Sequence, residues 1–141
     1  VPEGIIAGKN GATAMHDATE GGVVAAILEI CEASDVGVEL WEEDIPIAPE
    51  TRNICRALEI DPLKLISSGC MVITAKEPSK IVDSLAANGI RASIVGRILK
   101  APCERFMISR RAPKGEGRGA QLTVRLEFPE RDELYRVLTR G

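Results

Sequence analysis

Two kinds of hydrophobic period alternate along this sequence, and their order limits the folds that the chain can adopt. Apolar residues recur at every second position in segments of strand length, and at every third or fourth position in the segments between them. The alternation runs from Ala12 to Gly96, and two further strand-like segments follow. This order predicts an α/β fold in which helices cover a mixed β-sheet.

The same periods predict the individual elements. Strands are predicted over residues 12–15, 36–40, 70–74 and 90–99, and a hairpin pairs residues 106–108 with residues 122–128. Helices are predicted from Val23 to residues 33–35 and over 49–58, 78–88 and 129–139, with a helical turn over 61–65. The run 70–74 is rich in branched residues, so we expect a central strand. The polar, glycine-rich segment 112–119 is predicted to be a mobile loop.

The length and net charge of the chain limit the number of domains and the kinds of ligand that we expect. With 141 residues and 45% hydrophobic residues, the chain is expected to form a single domain. Its net charge of -3 argues against binding to nucleic acid or to an anionic membrane. Neither a membrane-spanning apolar run nor a signal peptide is present, so we expect a cytoplasmic protein. The start at Val1, without an initiator Met, suggests a fragment of a longer polypeptide.

The four cysteines are spaced too widely for a zinc knuckle or a redox CxxC pair. Cys31, Cys55 and Cys70 fall in helical or strand patterns, so we expect reduced, buried thiols there. Cys103 lies in a loop-like setting between Pro102 and Glu104. It is either a reactive thiol or, as the commoner case, a bystander.

One polar segment, residues 15–22, contains the groups that are most suited to chemistry. His16, Asp17, Thr19, Gly21 and Gly22 lie at a predicted junction between a strand and a helix. The first turn of a helix presents unpaired N–H groups, and glycine lets a phosphate approach the main chain. A carboxylate such as Asp17 can bind Mg²⁺, which prefers oxygen ligands. We therefore expect these five residues to bind a phosphate or substrate, and Asp17 to be a metal ligand.

A purely structural interpretation of the same segment stays open. Asp17 and Thr19 can cap the following helix, while Gly21 and Gly22 permit the turn. His16 is the only histidine, and a lone imidazole beside an aspartate is more often structural than catalytic. No complete Walker or dinucleotide-binding motif is present.

An ordered series of motifs carries a family resemblance. It begins with the segment 15–22 and continues with Ile-Cys-Glu-Ala-Ser at 30–34, Val-Gly-Val at 36–38 and Ile-Pro-Ile at 45–47. It goes on with Asp-Pro-Leu at 61–63, Ser-Gly at 68–69 and Ile-Val-Gly-Arg-Ile at 94–98. Together these motifs resemble the C-terminal domain of proteins related to aminoimidazole ribonucleotide (AIR) synthase, the PurM/HypE superfamily.

The resemblance implies both a fold and a chemistry. The family's C-terminal domain is a three-layer α/β/α unit, and its members use ATP and Mg²⁺. It implies a separate N-terminal nucleotide-binding domain as a partner, a homodimer when full length, and a small-molecule substrate. The chain would then form the phosphate and substrate side of an enzyme that activates an oxygen by phosphorylation, and the isolated domain would be inactive. The alternatives are a non-catalytic binding or regulatory module that keeps the fold, and an interaction domain that uses charged residues at 42–44 or 114–118.

Two departures from the family pattern bear on its chemistry. In the hydrogenase maturation proteins of this superfamily the loop reads Asp-Pro-Thr-Arg-Gly-Gly, whereas Glu20 stands here in place of the arginine. The sequence ends at Gly141 without the terminal cysteine that receives the carbamoyl group in those proteins. Both departures argue against carbamoyl dehydration while leaving the kinship intact.

Overall fold

Helices and strands alternate along most of the chain in a computed structural model that describes residues 2–109 and 121–139. The helices are α1 (Pro2–Lys9), α2 (Gly22–Ser34), α3 (Pro49–Leu58), α4 (Pro78–Ala87) and α5 (Glu133–Leu138), with a short 3₁₀ helix at Glu42–Asp44. The strands are β1 (Ala12–Asp17), β2 (Gly37–Trp41), β3 (Met71–Ala75), β4 (Gly96–Leu99), β5 (Arg105–Ser109) and β6 (Leu122–Arg125). The predicted α/β fold is confirmed.

The described strands form two sheets. β1 and β3 pair antiparallel in a two-stranded sheet, and the other four strands have the order β4-β2-β5-β6. The larger sheet is mixed, because β2 runs parallel to β5 while the outer pairs β2-β4 and β5-β6 are antiparallel. The hairpin predicted between residues 106–108 and 122–128 is the β5-β6 pair. Its connecting segment, 112–119, lies outside the described residues.

Helix α2 provides the main core. Its buried residues pack against β2 and against the segments that follow β2, α3 and β6; the cluster comprises Val24, Ile27, Leu28, Cys31, Val38, Leu40, Ile45, Leu63 and Leu126. A smaller core joins α1 and α4 to the β1-β3 sheet through Ala7, Ile81 and Leu85. Burial of such apolar side chains contributes about 1.5–3 kcal/mol each for the larger residues. These cores hold the β1-α2 junction between the two sheets.

The buried carboxylate of Glu39 on β2 is the centre of a polar cluster. Glu39 accepts hydrogen bonds from Trp41 Nε1 and Arg97 Nη2, each at 3.0 Å. Arg97 lies on β4 directly opposite Glu39, so the cluster joins the two strands. These hydrogen bonds, first that from Trp41 and then that from Arg97, lower the pKa of Glu39.

Two strand predictions are corrected. The run 70–74 does not form a central strand, because β3 pairs only with β1 among the described strands and its residues are all partly exposed. The strand predicted over 90–99 is confined to Gly96–Leu99. β3 and β4 belong to different sheets, and β3 and residues 90–98 both line a groove of about 750 Å³.

Smaller differences concern the ends of elements. A turn of helix was predicted over residues 61–65, but these residues form a non-helical turn. Within it, Asp61 Oδ1 accepts a hydrogen bond from Leu63 N at 2.9 Å. The last helix begins at Glu133 instead of residue 129, because Asp132 is its N-cap. The first helix, α1, was not expected from a segment that holds two glycines, Gly4 and Gly8. By contrast, α3 and α4 begin at the predicted prolines.

The cysteines are unpaired, and their burial differs from the prediction at one position. Cys31 and Cys55 are buried as expected, and burial raises the pKa of both thiols. The prediction of a buried Cys70 is wrong, because that residue follows the Gly69 turn and is exposed before β3 begins. Cys103 is exposed. No helix in the described part of the chain is long and apolar enough to cross a membrane.

Candidate functional site

The candidate site is the junction between β1 and α2. β1 extends two residues further than predicted, so His16 and Asp17 belong to the strand, opposite Val72 and Met71 of β3. The ladder continues into the junction, where Ala18 N donates to the carbonyl of Cys70 at 2.9 Å. The site is therefore attached to the β1-β3 sheet on one side and to α2 on the other.

Two glycines form the tight part of the junction. Gly21 and Gly22 both have positive φ angles, 77° and 66°, which residues other than glycine rarely adopt. A Cβ on Gly21 would lie 2.6 Å from the Cβ of Ala25. A Cβ on Gly22 would lie 2.6 Å from the carbonyl oxygens of both Leu63 and Leu65. The need for glycine thus arises from the chain's own packing.

Three N–H groups at the start of α2 have acceptors within the chain. Gly21 N donates to Asp132 Oδ2 at 2.7 Å, and Gly22 N donates to the Thr19 carbonyl at 3.1 Å. Val24 N donates to the Leu63 carbonyl at 3.1 Å. These three donors are therefore engaged within the chain and are not free for a phosphate in this geometry.

The alternative prediction, in which Asp17 and Thr19 cap helix α2, is wrong. The N-cap residue of α2 is Gly21, and neither Asp17 nor Thr19 caps the helix through its side chain. The carboxylate that replaces them is Asp132, which is 2% exposed and also accepts from Leu134 N at 2.8 Å as the N-cap of α5. The sequence predicted a helix from residue 129, which placed Asp132 inside it, and nothing in the sequence indicated a bond to Gly21.

The remaining predicted residues point outward or to a neighbour. Asp17 and Thr19 are exposed, and their side chains have no partner in the part of the chain that the structure describes. His16 Nε2 contacts Glu29 Oε2 of α2, so the imidazole joins β1 to the helix. Glu20 is exposed beside them.

The junction offers few ligands for Mg²⁺. Among the described residues there is no group of three or more His, Cys, Asp or Glu side chains that could enclose a metal ion. Magnesium commonly keeps several waters and takes only one or two protein carboxylates together with substrate phosphates. The exposed carboxylate of Asp17 fits that lesser role.

The sequence of this chain is similar to that of a carbamoyl dehydratase HypE. A carbamoyl dehydratase HypE of Bradyrhizobium diazoefficiens is 40% identical over 92 residues, an alignment that covers 64% of this chain and 25% of that protein. This chain therefore spans about a quarter of the length of that relative.

Solved structures share the fold. The crystal structure of E. coli HypE, a hydrogenase maturation protein, matches with a TM-score of 0.73 and 24% identity, over 96% of this chain and 42% of that one. A structure of hydrogenase maturation protein HypE in complex with ATP matches with a TM-score of 0.65 and 22% identity, over 86% of this chain and 37% of that one. At these identities the likeness establishes the architecture.

The family match itself is extensive. Residues 1–109 match the C-terminal domain of AIR synthase related proteins, and this stretch includes β1, the junction, α2 and the strands through β5. Since the match covers more than half of the 141 residues, the chain belongs to the AIR synthase-related family, in which it corresponds to the C-terminal domain.

Proposed function

We propose that this chain is the substrate-side domain of an ATP- and Mg²⁺-dependent enzyme of the HypE type, which activates an oxygen atom by phosphorylating it. The observation that carries the proposal is the sequence match to a carbamoyl dehydratase HypE, together with a fold shared with a HypE that binds ATP. In this proposal the nucleotide is held mainly by an N-terminal domain of the same protein. The full-length protein is a homodimer that acts on a small molecule.

The exposed polar groups of the junction support a limited set of roles. Asp17 offers a carboxylate to Mg²⁺, and the Thr19 hydroxyl can donate to a phosphate or substrate oxygen. Mg²⁺ supplies charge neutralisation, which phosphoryl transfer needs more than covalent help. His16 holds β1 to α2 through Glu29, so its role is to position Asp17. Gly21 and Gly22 shape the turn, and their N–H groups donate within the chain.

A second candidate function is a non-catalytic binding or regulatory module. Its support is the bond between Asp132 and Gly21, because a carboxylate of the chain itself stands at the helix start where a phosphate was expected. Exposed Glu20 adds a negative charge to the same junction, and that charge opposes an anion. The two candidates differ in whether ATP is consumed.

The test uses the full-length protein that contains this chain. ATP binding in the presence of Mg²⁺ and release of phosphate are measured for the wild type, for Asp17→Asn and for Asp83→Asn. Asp83 is a matched control because it is exposed on α4 and has no partner in the described structure. We expect Asp17→Asn to raise the Mg²⁺ concentration needed for turnover at least tenfold, with Asp83→Asn unchanged. ATP binding without phosphate release under any condition would instead support the non-catalytic module.

A further inference from the structure

A second cleft lies beside the candidate site. It has a volume of about 440 Å³ and is lined by Lys64, Pro129, Glu130, Arg131, Glu133 and Arg136. This volume is within the range of small-molecule sites, about 300–1,000 Å³. The two walls are bonded to each other, since Glu133 N donates to the Lys64 carbonyl at 3.3 Å.

The cleft shares a wall with the β1-α2 junction. Pro129 Cγ lies 3.7 Å from the position of a Cβ built on Gly21, so Pro129 separates the junction from the cleft. Asp132, next to the lining residue Arg131, is the group that bonds to Gly21 N. A molecule in the cleft would therefore be adjacent to the residues that the sequence assigned to phosphate binding.

The charges of the lining residues are not balanced. Glu133 and Arg136 neutralise each other, because Arg136 Nη1 donates to both carboxylate oxygens at 2.7 and 2.8 Å. Lys64 and Arg131 have no ion-pair partner in the described part of the chain. They leave two positive charges against the single negative charge of Glu130, in a protein whose net charge is -3.

We propose that this cleft binds the phosphate group of a small phosphate ester, with Lys64 and Arg131 as its cationic ligands. Two cations suit a phosphate dianion, and the planar guanidinium of arginine can bind two phosphate oxygens at once. The N–H groups of Gly21, Gly22 and Val24 donate within the chain, so cationic side chains are the better phosphate ligands at this end of the domain. The proposal deepens the proposed function and rests on it for the ligand's role in the reaction, but not for the binding itself.

The experiment measures the affinity of the 141-residue chain for inorganic pyrophosphate by titration calorimetry. We expect Lys64→Gln and Arg131→Gln each to weaken binding about tenfold, the loss typical of one charge-assisted hydrogen bond. Glu130→Gln should strengthen binding several-fold, because it removes the only unpaired negative charge of the lining. Lys80→Gln is the matched control, since Lys80 is exposed on α4 and does not line the cleft.

Several outcomes would overturn the proposal. They are absence of pyrophosphate binding at millimolar concentration, equal weakening by Lys80→Gln, and equal or tighter binding of citrate, a tricarboxylate of similar charge at neutral pH. Thermal unfolding of each variant checks that the fold is kept, which we expect because neither Lys64 nor Arg131 takes part in an ion pair among the described residues. Pyrophosphate binding with the expected variant pattern would stand even if the full-length protein released no phosphate from ATP, so the two proposals fail separately.

Discussion

Replacement of Asp132 tests whether one buried carboxylate holds the two ends of the described chain together. Its two oxygens accept from Gly21 N at 2.7 Å and from Leu134 N at 2.8 Å. Asparagine is as good an N-cap as aspartate, so Asp132→Asn keeps the bond to Leu134. Its amide group cannot accept from Gly21 N, and the buried N–H is left without a partner. This variant therefore isolates the bond between residues that are 111 positions apart.

The expected magnitudes follow from the two bonds. A buried donor left without an acceptor costs about 1–3 kcal/mol, which is the expected loss for Asp132→Asn. Asp132→Ala also removes the cap of α5, at about 1 kcal/mol more, so we expect a total of about 2–4 kcal/mol. Such losses are a large part of a domain stability of about 5–15 kcal/mol.

Urea unfolding, followed by far-ultraviolet circular dichroism, measures both losses. Asp83→Asn is the control and should change the free energy of unfolding by less than about 0.5 kcal/mol, because Asp83 is exposed on α4. In nuclear magnetic resonance spectra the Gly21 amide should shift in Asp132→Asn, while amides of α4 stay in place. An Asp132→Asn variant as stable as the control would refute the bond, and so would an unchanged Gly21 amide.

Three further predictions follow from the same structure. Gly22→Ala should cost at least about 2 kcal/mol of stability, whereas Gly11→Ala, which has open space around it, should cost about 1 kcal/mol from its positive φ alone; urea unfolding compares them. Because the pKa of Glu39 is lowered in the folded state, its stabilising effect should be present above about pH 4.5 and lost as the pH falls through the folded-state pKa. Acid unfolding should accordingly depend less on pH in Glu39→Gln, and an unchanged pH profile would contradict the role of its hydrogen bonds. Thiol titration of the folded protein should label Cys103 first and Cys70 more slowly, because burial raises the pKa of the Cys70 thiol, and the other two cysteines only after unfolding; four equal rates would contradict the burial pattern.

The elements that the sequence predicted best are those with local signals. α3 and α4 begin at Pro49 and Pro78, where proline suits the first turn of a helix, and their lengths agree with the apolar period. The pairing of β3 was not predictable in the same way, because an apolar run is equally consistent with a central strand and with a strand beside a groove. Pairing depends on which segments meet in space, and local pattern carries no such information.

The candidate site shows the same division between local and long-range information. The positive φ angles of Gly21 and Gly22 could be expected from a glycine pair at a strand-to-helix junction. The acceptors of their N–H groups could not, because Asp132 is 111 residues away and its other bond is an ordinary helix cap. A local pattern thus identified a helix start with free donors, and tertiary packing supplied the acceptor.

This arrangement decides which substitutions can test the function of the junction. Gly21→Val would place its Cβ 2.6 Å from Ala25 in a backbone conformation that branched side chains avoid, so it would damage the fold whether or not a ligand binds there. Thr19→Ala removes an exposed hydroxyl that caps nothing, so it should leave stability within about 0.5 kcal/mol of the wild type. A fall in ligand affinity in Thr19→Ala at unchanged stability would then report contact with the ligand. If affinity is also unchanged, Thr19 belongs to the surface, and ligand recognition at this end of the domain must come from Asp17 or from the cationic cleft.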